Sequence, residues 1–162
     1  MEGSGEGEGV SVREMELPLH PAIAPLESLL GRWRGEGEGG FPTINSFRYG
    51  EELFFSHSGK KTWKLESGEP MHAETGYWRL KSDGSIEVVI AQSTGLVELQ
   101  KGSFDAENRT MELKSELIGN ASKVKEIRRA FRVSDRELSY TVQMATHTTN
   151  LQSHLKAVLR QI

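Results

Sequence analysis

Histidine is the residue type in this chain best suited to chemistry at neutral pH, and there are five histidines and no cysteine. An imidazole changes its charge near neutral pH and can ligate a metal. Without cysteine, the chain can form no disulfide, thiolate zinc site, iron–sulfur cluster or cysteine nucleophile. Any metal must therefore be held by histidine or carboxylate. The histidines are His20, His57, His72, His147 and His154.

The neighbouring residues of four of these histidines indicate where each one lies in the fold. His20 lies in the entry segment and His57 near a hairpin tip, so we expect both at the surface. His147 stands among threonines, which is typical of a turn. His72 begins a strand that ends in Tyr77 and Trp78, so it is a candidate for facing a ligand.

The position of His154 leaves two interpretations open. It begins the last strand and shares its parity with Lys156 and Arg160. The apolar residues Leu155 and Leu159 hold the other parity. Strict alternation therefore places His154 on the polar face of the strand. A histidine at the end of a strand can still turn into the mouth of a cavity.

Paired carboxylates for acid and base catalysis are not visible in the sequence. Glu51, Glu52, Glu87 and Glu98 alternate like ordinary solvent-facing strand residues, so we expect them to be exposed. The chain also lacks a GxSxG elbow, a Walker loop and an HExxH motif. These absences argue against glycosidase, serine hydrolase, nucleotide-binding and zincin functions.

Net charge and hydropathy restrict the partners and the compartment. A net charge of −3 and a sequence pI near 6.0 provide no basic field for nucleic acid. No window approaches the roughly 18 consecutive apolar residues of a membrane span, and a basic start followed by an apolar run is missing. We expect a cytoplasmic protein, with the nucleus as the alternative, and neither a nucleic-acid nor a membrane partner.

The pattern of short alternating segments predicts an all-β protein. About ten strands follow one another with turn signals every 8 to 12 residues or so, and no βαβ alternation is visible. We expect an up-and-down, ten-stranded antiparallel β-barrel of the calycin-like type, which has room for a ligand inside. Its domain would span residues 18–162, after a disordered Gly/Glu-rich tail at residues 1–17. A short helical turn from Ala22 to Leu30 would cap one end.

A GxWxGxG motif opens the strand region. Gly31, Trp33, Gly35 and Gly37 share one parity, so three small residues and one large ring line the same face. Glycines permit close approach of strands, and the ring could plug a barrel end. The alternative is a glycine-rich turn with an incidental tryptophan. We expect residues 37–43, with three glycines and a proline, to form a loop.

Seven ordered sequence blocks resemble the nitrobindins, and most closely the plant branch of that family. The resemblance runs from about His20 to the C-terminus. The blocks are Gly31–Gly37 after Pro25-Leu26 and Leu29-Leu30, Phe41-Pro42-Thr43, Phe47-Arg48-Tyr49 with Glu51-Glu52, Pro70–Glu74, Ala91–Gly95, Gly119–Ser122, and His154-Leu155.

The resemblance implies a ten-stranded barrel that holds one ferric haem b per chain near its mouth. It further implies that the protein binds nitric oxide and isomerises peroxynitrite to nitrate. His154 would be the axial iron ligand and the catalytic residue. Thr43 and Lys125 would contact the haem, the lysine facing a propionate. Met71 and His72 would lie on the distal side.

Two departures from the family pattern keep alternatives open. The segment at Ser58–Lys61 is shorter than in plant members, which bears on barrel closure. His147 stands where relatives often have threonine, so it is a second candidate ligand, and Lys123 is the alternative to Lys125. The competing hypotheses are a non-catalytic lipocalin-like or fatty-acid-binding-like carrier of a small apolar ligand, and an interaction domain with a vestigial cavity. A homodimer is the assembly that we keep open.

Overall fold

The computed structural model describes residues 18–57, 62–68 and 72–162, and in residues 62–68 it describes the backbone alone. The predicted tail, the predicted short turn at residues 58–61 and Met71 lie outside these ranges. The described residues form one 3₁₀ helix, Pro21–Leu29, and ten strands. The strands are β1 Gly31–Phe41, β2 Ile44–His57, β3 Thr62–Gly68, β4 Ala73–Leu80, β5 Ser85–Gln92, β6 Val97–Asp105, β7 Thr110–Gly119, β8 Val124–Ser134, β9 Glu137–Thr146 and β10 Gln152–Gln161.

The ten described strands close into a single antiparallel barrel. Each strand pairs with its neighbours in chain order, and β1 closes the ring by pairing with both β2 and β10. Closure leaves no unpaired sheet edge. The prediction of a ten-stranded up-and-down barrel is therefore confirmed. No helix in the described ranges has the length and apolar content needed to cross a membrane.

The 3₁₀ helix fills one end of the barrel, which we call the closed end. The side chain of His20 caps it by accepting a hydrogen bond from the backbone N–H of Ala22 at 3.0 Å. Ile23, Leu26 and Leu29 are buried on its inner side. A helical turn was predicted at this position, and it is confirmed.

Trp33 joins this helix to the first strand. Its ring is fully buried, and its indole N–H donates to the carbonyl of Leu29 at 2.8 Å. A buried indole needs such a partner because an unpaired buried N–H is costly. Trp33 is therefore the plug of the closed end, as the motif predicted.

The prediction of a loop at residues 37–43 is wrong. Strand β1 continues to Phe41, and only Pro42 and Thr43 form the turn into β2. The reason is that β1 is paired on both sides along this stretch, up to Gly39 against Leu155 and Phe47.

The glycines of the motif are required by close approach inside the barrel. A Cβ on Gly35 would lie 2.1 Å from the backbone oxygen of Val158. A Cβ on Gly37 would lie 2.4 Å from the ring of Tyr49. Gly31 has φ +111°, which a residue with a side chain rarely adopts. The four motif positions thus shape the strand and carry no reactive group.

A row of aromatic rings crosses the interior above the closed end. Phe55 packs edge-on against Trp78 at 5.8 Å between ring centroids, and Trp78 packs against Phe131 at 5.3 Å. Phe131 then meets Tyr140 at 5.8 Å. This row forms the floor on which a cavity rests.

Candidate functional site

The other end of the barrel contains a cavity of about 590 Å³. The register of β1 places it there, because Gly31 and Trp33 lie beside the 3₁₀ helix, whereas Gly39 pairs with the cavity-lining residues Phe47 and Leu155. This volume lies within the range of roughly 300 to 1,000 Å³ typical of small-molecule sites. We call this the open end.

His154 reaches the cavity through a β-bulge. Ser153 pairs with Gln143 and Leu155 pairs with Val142, so His154 is an extra residue without a partner in the β9 ladder. A bulge redirects the side chain that it inserts. His154 and Leu155 therefore both line the cavity, although they are consecutive in the strand. The expectation from alternation, that His154 lies on the polar outer face, is wrong for this reason.

The orientation of the His154 ring is fixed by two contacts. Its Nδ1 lies 3.0 Å from the carbonyl oxygen of Gly40. Since a carbonyl can only accept, Nδ1 is the donor in this contact, and in the neutral ring Nε2 is then the nitrogen with the free lone pair. The ring of Phe41 meets it edge-on at 5.8 Å. A histidine held in this way by a backbone carbonyl is oriented to ligate a metal through Nε2.

His72 lies on the opposite wall. It directly precedes β4 and lines the same cavity. In the ring of strands, β4 is separated from β10 by three strands in one direction and five in the other. The two histidines therefore face the cavity from opposite sides.

A buried ionic network stands behind His72. Arg129 donates to Glu98 at 2.7 and 3.1 Å and to Glu74 at 3.2 and 3.4 Å. Glu98 also accepts from the amides of Gln92 at 2.7 Å and Gln100 at 2.8 Å. The expectation that Glu98 faces solvent is wrong, because Glu98 is fully buried. Strand β6 carries Glu98 and Gln100 on its inner face, where Arg129 satisfies the carboxylate.

This network changes the ionisation of its members. Burial alone would raise the pKa of Glu74, but Arg129 and His72 outweigh it and lower that pKa to about 2. Contact with the Glu74 carboxylate raises the pKa of His72, and burial opposes this to a smaller extent. Burial would lower the pKa of Arg129, but Glu74 and Glu98 raise it above its ordinary value. Glu74 is thus a carboxylate and Arg129 a cation at any physiological pH.

A second polar group lines the cavity beside Phe131. The phenol of Tyr140 donates to the carboxylate of Glu51, and the hydroxyl of Tyr49 lies 2.7 Å from that of Tyr140. Burial and the adjacent Glu51 raise the pKa of Tyr140. Glu51 therefore also departs from the solvent-facing expectation, whereas Glu52 forms the expected surface ion pairs with Arg32 and Arg34.

The remaining predicted site residues are not part of the cavity wall. Thr43 is exposed in the turn between β1 and β2. Lys125 is exposed at a bulge in β8. His147 is exposed, and its backbone N–H donates to the carbonyl of Lys123 at 3.2 Å. Their roles at a bound group stay predictions, as does that of Met71.

No group of three or more histidine or acidic side chains in the described part of the chain could hold a bare metal ion. The cavity instead presents one imidazole whose ring is held by a backbone carbonyl, that of His154, beside a partly apolar lining that includes Phe47, Leu53 and Phe131. This combination suits a flat, largely apolar group that brings its own metal and needs one protein ligand.

Comparison with known proteins connects this geometry to a family. The family model described as "THAP4-like, heme-binding beta-barrel domain" matches residues 22–161. A protein of Arabidopsis thaliana named "Peroxynitrite isomerase Rv2717c" is 63% identical over 152 residues, covering 90% of this chain and 92% of the relative. "Peroxynitrite isomerase 1" of Mycolicibacterium paratuberculosis is 41% identical over 159 residues, covering 91% of this chain and 99% of the relative.

A solved structure shares the barrel. The structure titled "Crystal Structure of Rv2717c from M. tuberculosis" superposes with a TM-score of 0.80 at 36% sequence identity. The match covers 90% of this chain and 99% of that chain. The agreement in fold therefore extends over most of this chain.

Proposed function

Because the chain belongs to the THAP4-like, heme-binding β-barrel family, the nitrobindins, we propose that it is a haem protein that isomerises peroxynitrite to nitrate and binds nitric oxide. One haem b per chain would occupy the open-end cavity, with ferric iron ligated by His154. The observation that carries this proposal is the bulge that turns His154 into the cavity with Nδ1 held by Gly40.

The residues of the cavity fit a haem. Phe47, Leu53, Phe131 and Leu155 supply the apolar contact that a porphyrin needs. Nε2 of His154 supplies one neutral ligand, since Nδ1 keeps the proton. His72 lines the opposite wall of the cavity, so the two histidines would lie on opposite sides of the haem. Met71 precedes it in the chain, and we propose that it contacts the same side of the haem.

One protein ligand is the arrangement that this activity needs. Nε2 of His154 would hold the haem, which would supply Lewis-acid chemistry for a small ligand such as peroxynitrite. His154 holds the group, and the edge-on ring of Phe41 keeps the imidazole in place. Thr43 and Lys125 are exposed outside the cavity wall. We propose that they would contact the haem from the solvent side, the lysine facing a propionate.

The activity can be tested by following peroxynitrite decay in a stopped-flow spectrometer. We expect the haem-loaded protein to accelerate decay and to raise the ratio of nitrate to nitrite, whereas the haem-free protein does neither. His154→Ala should lose the acceleration, because the iron loses its ligand. His147→Ala is the matched control and should retain it.

The outcome also separates this proposal from a carrier without catalysis. A protein that takes up no haem, but releases a fluorescent fatty acid to an apolar competitor, would contradict the enzymatic proposal. A haem-loaded protein that leaves the decay rate unchanged would contradict it as well.

A further inference from the structure

We propose that Glu74 is a positioning residue that presents His72 to an anionic ligand in the cavity, and that the Arg129–Glu98 pair holds Glu74 for this task. This inference rests on the proposed function and deepens it, because it assigns the wall opposite His154 a preference for anions. It follows from the geometry of four side chains.

The Glu74 carboxylate contacts Arg129 on one side and His72 on the other. Its side chain is only 9% exposed. Oε1 accepts from Nη1 of Arg129 at 3.2 Å, and Oε2 lies 3.4 Å from Nη2 of Arg129 and 3.6 Å from Nε2 of His72. The His72 side chain is 43% exposed, so it is the outermost member of this chain of contacts.

Arg129 cannot follow Glu74 if the carboxylate moves. Its guanidinium donates hydrogen bonds of 2.7 and 3.1 Å to Glu98, which is fully buried. Gln92 and Gln100 in turn fix the oxygens of Glu98. A rigid series of contacts therefore runs from the sealed core to the cavity wall.

The charges of this series favour a protonated His72. Glu74 and Glu98 carry two negative charges and Arg129 carries one positive charge, which leaves one uncompensated negative charge in a buried network. An unbalanced buried charge is costly, and an imidazolium at His72 removes the imbalance.

Three charged groups among the described residues act on His72 from different strands. Glu74 on β4 and Glu51 on β2 favour its protonated form, and Arg129 on β8 disfavours it. The direct contact with Glu74 is the strongest of these, so the pKa of His72 is raised.

Protonation gives His72 a donor for the cavity. Nε2 is the nitrogen beside Glu74, so the added proton is carried on Nδ1. The imidazolium then presents an N–H and a positive charge to a ligand, which strengthens binding of peroxynitrite or another anion and leaves neutral nitric oxide little affected. Since the pKa of His72 is raised, this advantage is complete below that pKa and is lost as the pH rises through it.

Fluoride affinity of the ferric, haem-loaded protein tests this without measuring activity. Fluoride titrations of the parent and of His72→Gln are followed by absorbance and repeated from about pH 5 to pH 9. We expect the parent to bind fluoride more tightly than His72→Gln at low pH and to show a loss of that advantage as the pH rises through the pKa of His72. Competition by hydroxide for the ferric iron is common to both chains and cancels in the comparison. Glu74→Gln should move the midpoint of that loss down by about one pH unit or more, because the charge that raises the pKa is gone. Glu74→Asp keeps the charge and should restore part of the shift. Glu52→Gln, which removes a glutamate from the outer face, should leave the midpoint in place.

The haem-free protein supplies a second readout that does not depend on the proposed function. The chemical shift of the His72 imidazole, followed by NMR against pH, should titrate at lower pH in Glu74→Gln than in the parent chain. Unchanged titration of His72 in that variant, or an unchanged fluoride midpoint, would overturn the inference. Failure of the chain to bind haem would instead overturn the proposed function, and the NMR titration would still decide the role of Glu74. If Glu74→Gln does not fold, the titration is measured in Glu74→Asp, whose shorter side chain places the carboxylate farther from Nε2 of His72 and should give a smaller downward shift. Titration at the parent value would show that the position of the carboxylate does not matter, which would overturn the inference.

Discussion

The two ends of this barrel are built from the same strands but from opposite chemistry. At the closed end, Ile23, Leu26, Leu29 and Trp33 are at most 1% exposed and leave no ionisable group among them. At the open end, a cavity of about 590 Å³ is lined by two carboxylates, two guanidinium groups, two phenols and two histidines, together with apolar side chains. Packing stabilises the closed end, so that the open end can keep a cavity lined by both apolar and ionisable side chains.

Strand β1 runs from the closed end to the open end and contributes residues to both. It begins beside the tryptophan plug and ends at Phe41, which contacts His154. Between them, Gly37 leaves space for the Tyr49 ring, and a Cβ on Gly39 would lie 2.5 Å from the ring of Phe47. The glycines let cavity-lining rings of β2 pass close to β1, so one motif serves both ends.

The largest expected effect comes from removing the plug. Trp33→Ala should lower the free energy of unfolding by about 3 to 5 kcal/mol, since it empties a packed site and leaves the Leu29 carbonyl without its donor. Chemical denaturation of the haem-free protein measures this. Tyr77→Ala is the matched control, because Tyr77 is 54% exposed on the outer face, and it should cost about 1 kcal/mol or less. Equal losses in the two variants would contradict a closed end that carries the stability.

The smallest expected effect belongs to the two exposed residues near the open end. Thr43→Ala and Lys125→Ala should each change the haem dissociation rate by about tenfold or less, because each removes a single solvent-exposed polar contact. Transfer of haem to apomyoglobin measures the rate. Lys101→Ala, an exposed lysine paired with Glu116 on the outer face, is the control. A loss of a hundredfold or more would mean that these residues belong to the inner wall after all.

The closed end could be predicted well from sequence because its signals are local. The spacing of Ile23, Leu26 and Leu29 predicts a helical turn, and the parity of Trp33 with the glycines predicts an inward ring. The strand count followed from turn signals. The prediction of a loop at residues 37–43 is wrong because glycine in a strand interior gives the same sequence signal as glycine in a turn.

The open end could be predicted only in part because its signals are not local. A bulge at His154 reverses the face that alternation assigns, and alternation cannot reveal a bulge; the family resemblance identified the residue where periodicity did not. Glu98 and Arg129 lie 31 residues apart and meet across the interior. The one visible signal was Arg129 itself, at an inward position between Ile127 and Phe131, where an unpaired charge would be costly.

The central claim is that His154 ligates haem at the open end, and a hemin titration of three chains tests it most directly. The parent chain and His147→Ala should both develop a Soret band with one haem per chain. His154→Gly should lose or shift that band, and added imidazole should restore it, because the free ligand takes the place of the missing side chain. A Soret band that is unchanged in His154→Gly without imidazole would contradict the account.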